Sequence, residues 1–186
     1  LPRVSIVIAT RDKLGLLRTC VDGVLNYTDY PALELIVIDN GSTEAGTLAY
    51  LQSLRTRERV VVLNDREPFN FSRNVNRGIR AAGQDDVIVL NDDALLTTRG
   101  GFTAMRRMSV EYPEMGIIAA SCNNVGNPNQ FRRNRPSEPI VREDPRMVCF
   151  VCVLIPRRTI DRVGLMDDRY VDYGLDDDDY CLQVRR

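Results

Sequence analysis

The chain has 186 residues, 44% of them hydrophobic, and its 25 Lys and Arg against 26 Asp and Glu leave a net charge of −1. That length and composition suit one globular domain with a sizeable core. The near-neutral balance excludes a general electrostatic attraction to nucleic acid or anionic lipid, and the longest apolar run, 147–155, is far too short for a membrane span.

Residues 4–9, Val-Ser-Ile-Val-Ile-Ala, have the composition of a buried strand and lead into Thr10, Arg11 and Asp12. Leu14, Leu17, Val21, Val24 and Leu25 then recur at helical spacing, and Tyr30-Pro31 closes the unit. A second strand at 35–38 runs into the polar turn Asp39-Asn40-Gly41-Ser42-Thr43. A helix over 44–54 is predicted to turn Leu48, Leu51 and Leu54 inward. The third strand is 60–63. Beyond Pro68-Phe69-Asn70-Phe71, Ser72 is placed to cap a helix through Ala82, and Gly83 to end it. Val87-Ile88-Val89-Leu90 is the fourth strand, and it delivers Asn91, Asp92 and Asp93 at its carboxyl end. Strand and helix alternate three times before that strand. The alternation implies an α/β fold with a mostly parallel sheet, right-handed crossovers and helices on both faces.

The second half is less regular. A helix around 102–112, a short strand at 115–119, a long Asn-, Pro- and Arg-rich loop over 123–145, a strand at 147–155 and a short helix at 158–163 ending at Gly164 are expected in turn. Asp176-Asp177-Asp178-Asp179 opens a final helix, and because the sequence stops inside it, an excised domain is expected. The five cysteines form no secreted-type framework, and their odd number fits a reducing compartment. Cys149 and Cys152 have the spacing of a zinc or redox pair. In a strand, however, positions three apart face opposite sides, so buried structural thiols are expected. Histidine is absent, which removes Ser-His and Cys-His nucleophiles and leaves acid–base work to carboxylates.

Three polar clusters follow predicted parallel strands: Thr10/Arg11/Asp12, Asp39/Asn40 and Asn91/Asp92/Asp93. In a parallel sheet those ends share one edge, where open α/β sheets bind ligands. The adjacent Asp92 and Asp93 either offset a hard divalent cation held with phosphate oxygens or cap the next turn. Neither a Gly-x-Gly-x-x-Gly nor a Gly-x-x-x-x-Gly-Lys loop occurs, so phosphate would be held by metal and side chains. Arg73, Arg77 and Arg80 share a helix face that is either solvated or turned to the crevice. The four aspartates from Asp176 either serve the helix dipole or turn one carboxylate inward as a general base.

These stretches resemble the family 2 glycosyltransferases of GT-A fold, above all the bacterial sugar transferases that build polysaccharides and O-antigens of the cell envelope. The resemblance rests on residues 4–12, 37–43, Phe69-Asn70-Phe71-Ser72 with Asn76-Arg77-Gly78, Leu90-Asn91-Asp92-Asp93, and Val163 to Asp167 through Asp176, Asp177 and Cys181. It implies a single GT-A-like catalytic domain over 1–186, with a Rossmann-like nucleotide-sugar half at 1–98 and an acceptor half at 99–186. By position, Thr10, Arg11 and Asp12 would hold base and ribose, and Asp39 would accept from the imide N–H of uracil or thymine. Asp92 would contact the ribose, Asp93 would ligate Mn²⁺ or Mg²⁺ at the diphosphate, and Arg73 and Asn76 join the donor site. Asp177, with Asp176 in reserve, stands where the family has its catalytic base. Ala9 replaces a usual proline, Asn91 opens the aspartate motif, Phe150 and Val151 replace a small pair, and Gln183 replaces a frequent arginine.

The activity so implied is inverting, metal-dependent transfer from a UDP- or dTDP-type sugar to a hydroxyl of a glycan or lipid-linked acceptor. It would take place in the cytoplasm, with any hold on the inner membrane face made by parts outside this chain. A sugar-phosphate nucleotidyltransferase is the alternative, although Ala9-Thr10-Arg11-Asp12 is not the glycine-rich basic loop it needs. A donor-binding module without activity is the other.

Overall fold

A computed structural model describes residues 2–131, 146–171 and 174–186. Its elements in chain order are β1 (Val4–Thr10), α1 (Leu14–Asp22), which continues into a π-helical turn at Gly23–Tyr27, β2 (Leu33–Asp39), α2 (Ala45–Leu54), β3 (Val60–Asn64) and α3 (Phe71–Ala81). Then come β4 (Asp86–Leu90), α4 (Gly101–Glu111), β5 (Ile118–Ala119), β6 (Cys152–Ile155), α5 (Arg157–Val163) and α6 (Asp176–Arg185). The strands form one sheet in the order β3-β2-β1-β4-β6-β5. β1 pairs in parallel with both β2 and β4, while β6 runs antiparallel to β4 and to β5.

The chain winds outward one way from β1 through β2 to β3, then returns to the other side of β1 as β4. The carboxyl ends of β1 and β4 therefore bound a topological switch point, where neighbouring crossovers lie on opposite faces and leave a crevice. β1 and β2 are apolar on both sides because both of their faces are covered. Ile6, Ile8, Leu35, Val37, Ile88 and Leu90 belong to one core with α1, α2 and α4. Val7, Ile36, Ile38, Val87 and Val89 belong to the other, with α3, α5 and α6.

Gly78 lets α3 approach that second face. A Cβ at this position would lie 2.2 Å from Cγ1 and 3.0 Å from Cβ of Val7, a fully buried residue of β1. Gly78→Ala is thus expected to destabilise the protein by about 1–3 kcal/mol through overpacking. An unchanged urea midpoint would mean that the helix can shift away at little cost.

Several sequence expectations need correction. The cap of α3 is Asn70, not Ser72: the Asn70 side chain accepts from the Arg73 N–H at 2.7 Å, while Ser72 is buried inside the first turn. Asn70 is extended, as a capping residue must be, and its carboxamide reaches the third N–H of the helix. Gly83 does lie just past the helix in left-handed conformation, at φ 62°. On α2, Leu48 points to solvent, and Thr47, Tyr50, Leu51 and Leu54 fill the buried face. The strand predicted at 115–119 shrinks to β5 and that at 147–155 to β6; ahead of β6, Met147 and Cys149 bond instead to the side chains of Asn127 and Gln130. The 132–145 part of the predicted long loop lies outside the described residues. Among the described residues no helix is long and apolar enough to cross a membrane.

Candidate active site

The β1 and β4 carboxyl ends meet through side chains. Thr10, the last residue of β1, donates its hydroxyl to Asp92 Oδ2 at 2.8 Å. Asp92 and Asp93 follow β4 by two and three residues, in a tight turn where Ala94 N–H donates to the Asn91 carbonyl at 3.1 Å. Asp92 is half-buried and Asp93 exposed. A cleft of about 410 Å³ opens above this junction.

Thr10, Arg11, Asp92, Asp93, Asp176 and Asp177 all line that cleft. Three separate regions of sequence therefore supply polar groups to one cavity. Its remaining wall is apolar and aromatic, with Phe69, Phe71, Phe150 and Tyr170 prominent. Charge in the cleft is lopsided: among the described lining residues, four carboxylates face the single guanidinium of Arg11. Such a cavity repels a bare diphosphate and attracts cations.

Burial holds Asp92 above the ordinary carboxylate range; neighbouring Asp93 pushes the same way, and the Thr10 hydroxyl opposes both. Asp177 is likewise raised, first by burial and then by Asp178 and Asp176. The backbone N–H groups of Asp178, at 2.9 Å, and of Phe150 pull it back down. The dipole of α6 favours this acidic run, so the helix start can present a proton acceptor without expelling it.

Other residues expected in the donor site lie apart from this cleft. Asp12, left-handed at φ 57°, accepts from the N–H groups of Thr43 and Glu44 at 2.7 and 2.8 Å, which hold its carboxyl below the usual range. It thereby ties the loop after β1 to the start of α2. Asp39 is 7% exposed and accepts from the Ser42 N–H at 2.9 Å, three residues on, which closes the turn beyond β2. Arg73 and Arg77 converge instead on Asp65, at 3.2 and 3.6 Å, and Arg80 is exposed. Arg73 also donates to the Pro68 carbonyl. Asp65, 1% exposed beyond β3, is the counter-charge of this arginine face. Asn76 is wholly occupied by Met166: its Nδ2 donates to the Met166 carbonyl at 2.8 Å and its Oδ1 accepts from the Met166 N–H at 2.9 Å.

Sequence reasoning missed the asparagine struts. Asn70, besides capping α3, donates to the carbonyls of Asp168 and Tyr170 at 2.9 and 2.8 Å. With Asn76 it fastens the 166–170 segment, which brings Tyr170 to the cleft. The available signal was a run of polar residues, Asn70, Ser72, Asn74 and Asn76, in a helix that had to be packed against a sheet. Among the cysteines, Cys20, Cys152 and Cys181 are buried thiols, and Cys122 and Cys149 are half-buried; all are free. Burial pushes Cys20 up to about 12 and Cys181 up to about 11, which leaves them protonated and inert at neutral pH.

A mostly parallel sheet with helices on both faces is the fold of GT-A glycosyltransferases, and solved structures of that fold superpose on this chain. TarS 1–349 from S. aureus superposes with a TM-score of 0.76 at 12% identity, over 98% of this chain and 55% of that one. The mannosyltransferase PcManGT from Pyrobaculum calidifontis, solved in complex with GDP-Man and Mn²⁺, gives 0.74 at 20% identity, over 98% and 52%. The chain belongs to glycosyl transferase family 2, whose model matches residues 5–143. It is 36% identical over 117 residues to the O-antigen biosynthesis protein RfbC of Myxococcus xanthus, covering 63% of this chain and 9% of that protein. The uncharacterized protein y4gI of Sinorhizobium fredii is 29% identical over 205 residues, covering 99% of this chain and 23% of that protein. The chain thus spans less than a quarter of these two relatives and about half of the solved chains.

Proposed function

We propose that the protein transfers a sugar, with inversion, from a UDP- or dTDP-type donor to a hydroxyl of a glycan or lipid-linked acceptor. The observation that supports this most is the convergence of Thr10–Asp92, Asp93 and the acidic start of α6 on one cleft. On this reading residues 1–98 bind donor and 99–186 receive acceptor.

Thr10 and Arg11 hold the ribose side of the donor, and Asp92, fixed by the Thr10 hydroxyl, accepts from a ribose hydroxyl. Asp39 spends one oxygen on Ser42 and offers the other to the imide N–H of the base. Asp12, Arg73 and Asn76 hold the surrounding loops rather than the ligand. Asp177 takes the proton of the acceptor hydroxyl as its oxygen attacks the anomeric carbon opposite the diphosphate; Asp176 is its alternate. One displacement inverts the centre, and no enzyme nucleophile is required.

The donor set suits a Mn²⁺ or Mg²⁺ ion that is completed by substrate. Among the described residues no group of three Asp, Glu, Cys or His side chains could surround an ion. A hard cation bound by one or two carboxylates plus phosphate oxygens needs no such cage, and Asp93, exposed at the cleft mouth beside Asp92, is the residue to hold it. Bound there, the ion would neutralise charge building on the leaving diphosphate.

Thermal melting against a panel of nucleotide sugars, with and without Mn²⁺, tests the donor class. A UDP- or dTDP-sugar at 100 times its dissociation constant is expected to stabilise the protein by roughly 2.7 kcal/mol, and to do so only with the metal present. A panel in which no nucleotide sugar raises the melting temperature would remove the reading.

A further inference from the structure

Among the described residues, four aromatic side chains line the cleft, and they are unequally engaged. Phe150 is 4% exposed and meets the Tyr180 ring edge-on, with 6.1 Å between centroids. Phe71 opens α3 and packs against the second core. Phe69, in contrast, is 49% exposed and Tyr170 only half-buried, although both belong to the cleft wall. Two rings left open inside a cavity offer apolar area that a ligand can bury.

Both rings are carried on anchored backbone, and Asn70 is the common anchor. It is 4% exposed, follows Phe69 directly, and its Nδ2 donates to the carbonyls of Asp168 and Tyr170, the latter 100 residues further along the chain. The stretch ahead of Phe69 is pinned as well. Asn40 Nδ2 donates to the Glu67 carbonyl at 2.9 Å, and Arg73 donates to the Pro68 carbonyl. At the other end of the 166–170 segment, Asn76 grips Met166 with both ends of its carboxamide. Buried amides so fully paired rigidify the backbone they hold. The two rings are therefore set in place before a ligand arrives, which lowers the cost of binding one.

We propose that Phe69 and Tyr170 form the acceptor subsite and take the apolar face of an uncharged pyranose ring. Such a ring turns C–H bonds to its faces and hydroxyls to its rim, so it stacks on an aromatic surface while the hydroxyls keep their polar partners. Charge excludes the acidic sugars: among the described lining residues Asp92, Asp93, Asp176 and Asp177 outnumber Arg11, so a uronic acid or a sugar phosphate is repelled. Assignment to the acceptor rests on the reading of Asp177 as proton acceptor. Tyr170 lies in the segment that leads to α6, whose first residues Asp176 and Asp177 line the same cleft. Thr10 and Asp92, which that reading gives to the nucleotide, stand at the strand tips instead.

The test is saturation-transfer NMR on the 186-residue protein with methyl glycosides of glucose, mannose, galactose, rhamnose and N-acetylglucosamine, and with methyl glucuronoside as the charged counterpart. At least one uncharged glycoside is expected to receive saturation chiefly at its ring C–H protons, and the glucuronoside none. Phe69→Ala and Tyr170→Ala are each expected to weaken that glycoside about tenfold. Asn70→Asp is expected to weaken it by a smaller factor, because the carboxylate still caps α3 but cannot donate to the Asp168 and Tyr170 carbonyls. The thermal shift given by UDP or dTDP with Mn²⁺ is the control, expected to persist in all three variants. If Tyr170→Ala does not fold, the exposed Phe69→Ala is read alone. Binding of no uncharged glycoside overturns the proposal, as does equal binding of the glucuronoside or full binding by Phe69→Ala. Loss of the nucleotide shift in Phe69→Ala also overturns it, by assigning the ring to the donor. Absence of any nucleotide shift in the wild type counts against the transfer reading instead, and the glycoside arms still decide this one.

Discussion

Asp177→Asn is expected to lower the rate of sugar transfer by about 10²- to 10⁴-fold, the usual worth of a positioned general base. The substitution keeps the size of the side chain, so KM for both substrates should change little while kcat falls. The pH profile carries a second signature. Burial, then Asp178 and Asp176, raise the pKa of Asp177, so the acidic limb of the wild-type rate should lie above the value of about 3.9 for an unperturbed aspartate. Stability responds with the opposite sign. The folded protein holds this proton more tightly than the unfolded chain, so the contribution is full below the unfolded pKa and lost as pH rises through the folded one. Asp177→Asn should therefore melt higher than wild type on the alkaline side of that window, even as activity is lost. Transfer within a few-fold of wild type would remove Asp177 from the chemistry and pass its role to Asp176.

Asp93→Ala is expected to cost about 10²-fold or more in transfer, since it removes a group that stabilises charge on the leaving diphosphate. The loss should be accompanied by a higher half-saturating Mn²⁺ concentration for the thermal shift produced by the donor. That shift is a binding readout, independent of turnover. Truncation also relieves the repulsion between Asp93 and Asp92, so the Asp92 pKa should fall and the protein should gain rather than lose stability without ligand. An Asp93→Ala protein that binds Mn²⁺ and donor as wild type does would place the ion elsewhere.

Sequence and structure agree best where a local pattern and the global fold ask for the same thing. Val87-Ile88-Val89-Leu90 had to be a strand covered on both faces, and three strand–helix repeats had to wind a parallel sheet. From that alone the polar ends of β1, β2 and β4 were expected on one sheet edge; Thr10 does bond to Asp92, while Asp39 at the end of β2 does not line their cleft. Side-chain direction was a different matter. Arg73, Arg77 and Arg80 share a helix face by spacing, but spacing does not say what lies opposite. A buried Asp65 beyond β3 claims the first two. Asn76 looked available for a ligand until the 164–168 segment, some 90 residues later in the chain, closed on it.

The amino-acid order by itself determined the α/β class, the neighbourhood of the aspartate turn and the acidic opening of the last helix, because hydrophobic period and strand–helix alternation are local properties. Only the tertiary structure decided which carboxylates share a cavity and which arginines are spent on a buried partner. Those outcomes depend on contacts between residues far apart in the chain. At such distances one amide or guanidinium has many candidate partners, and packing density alone selects among them.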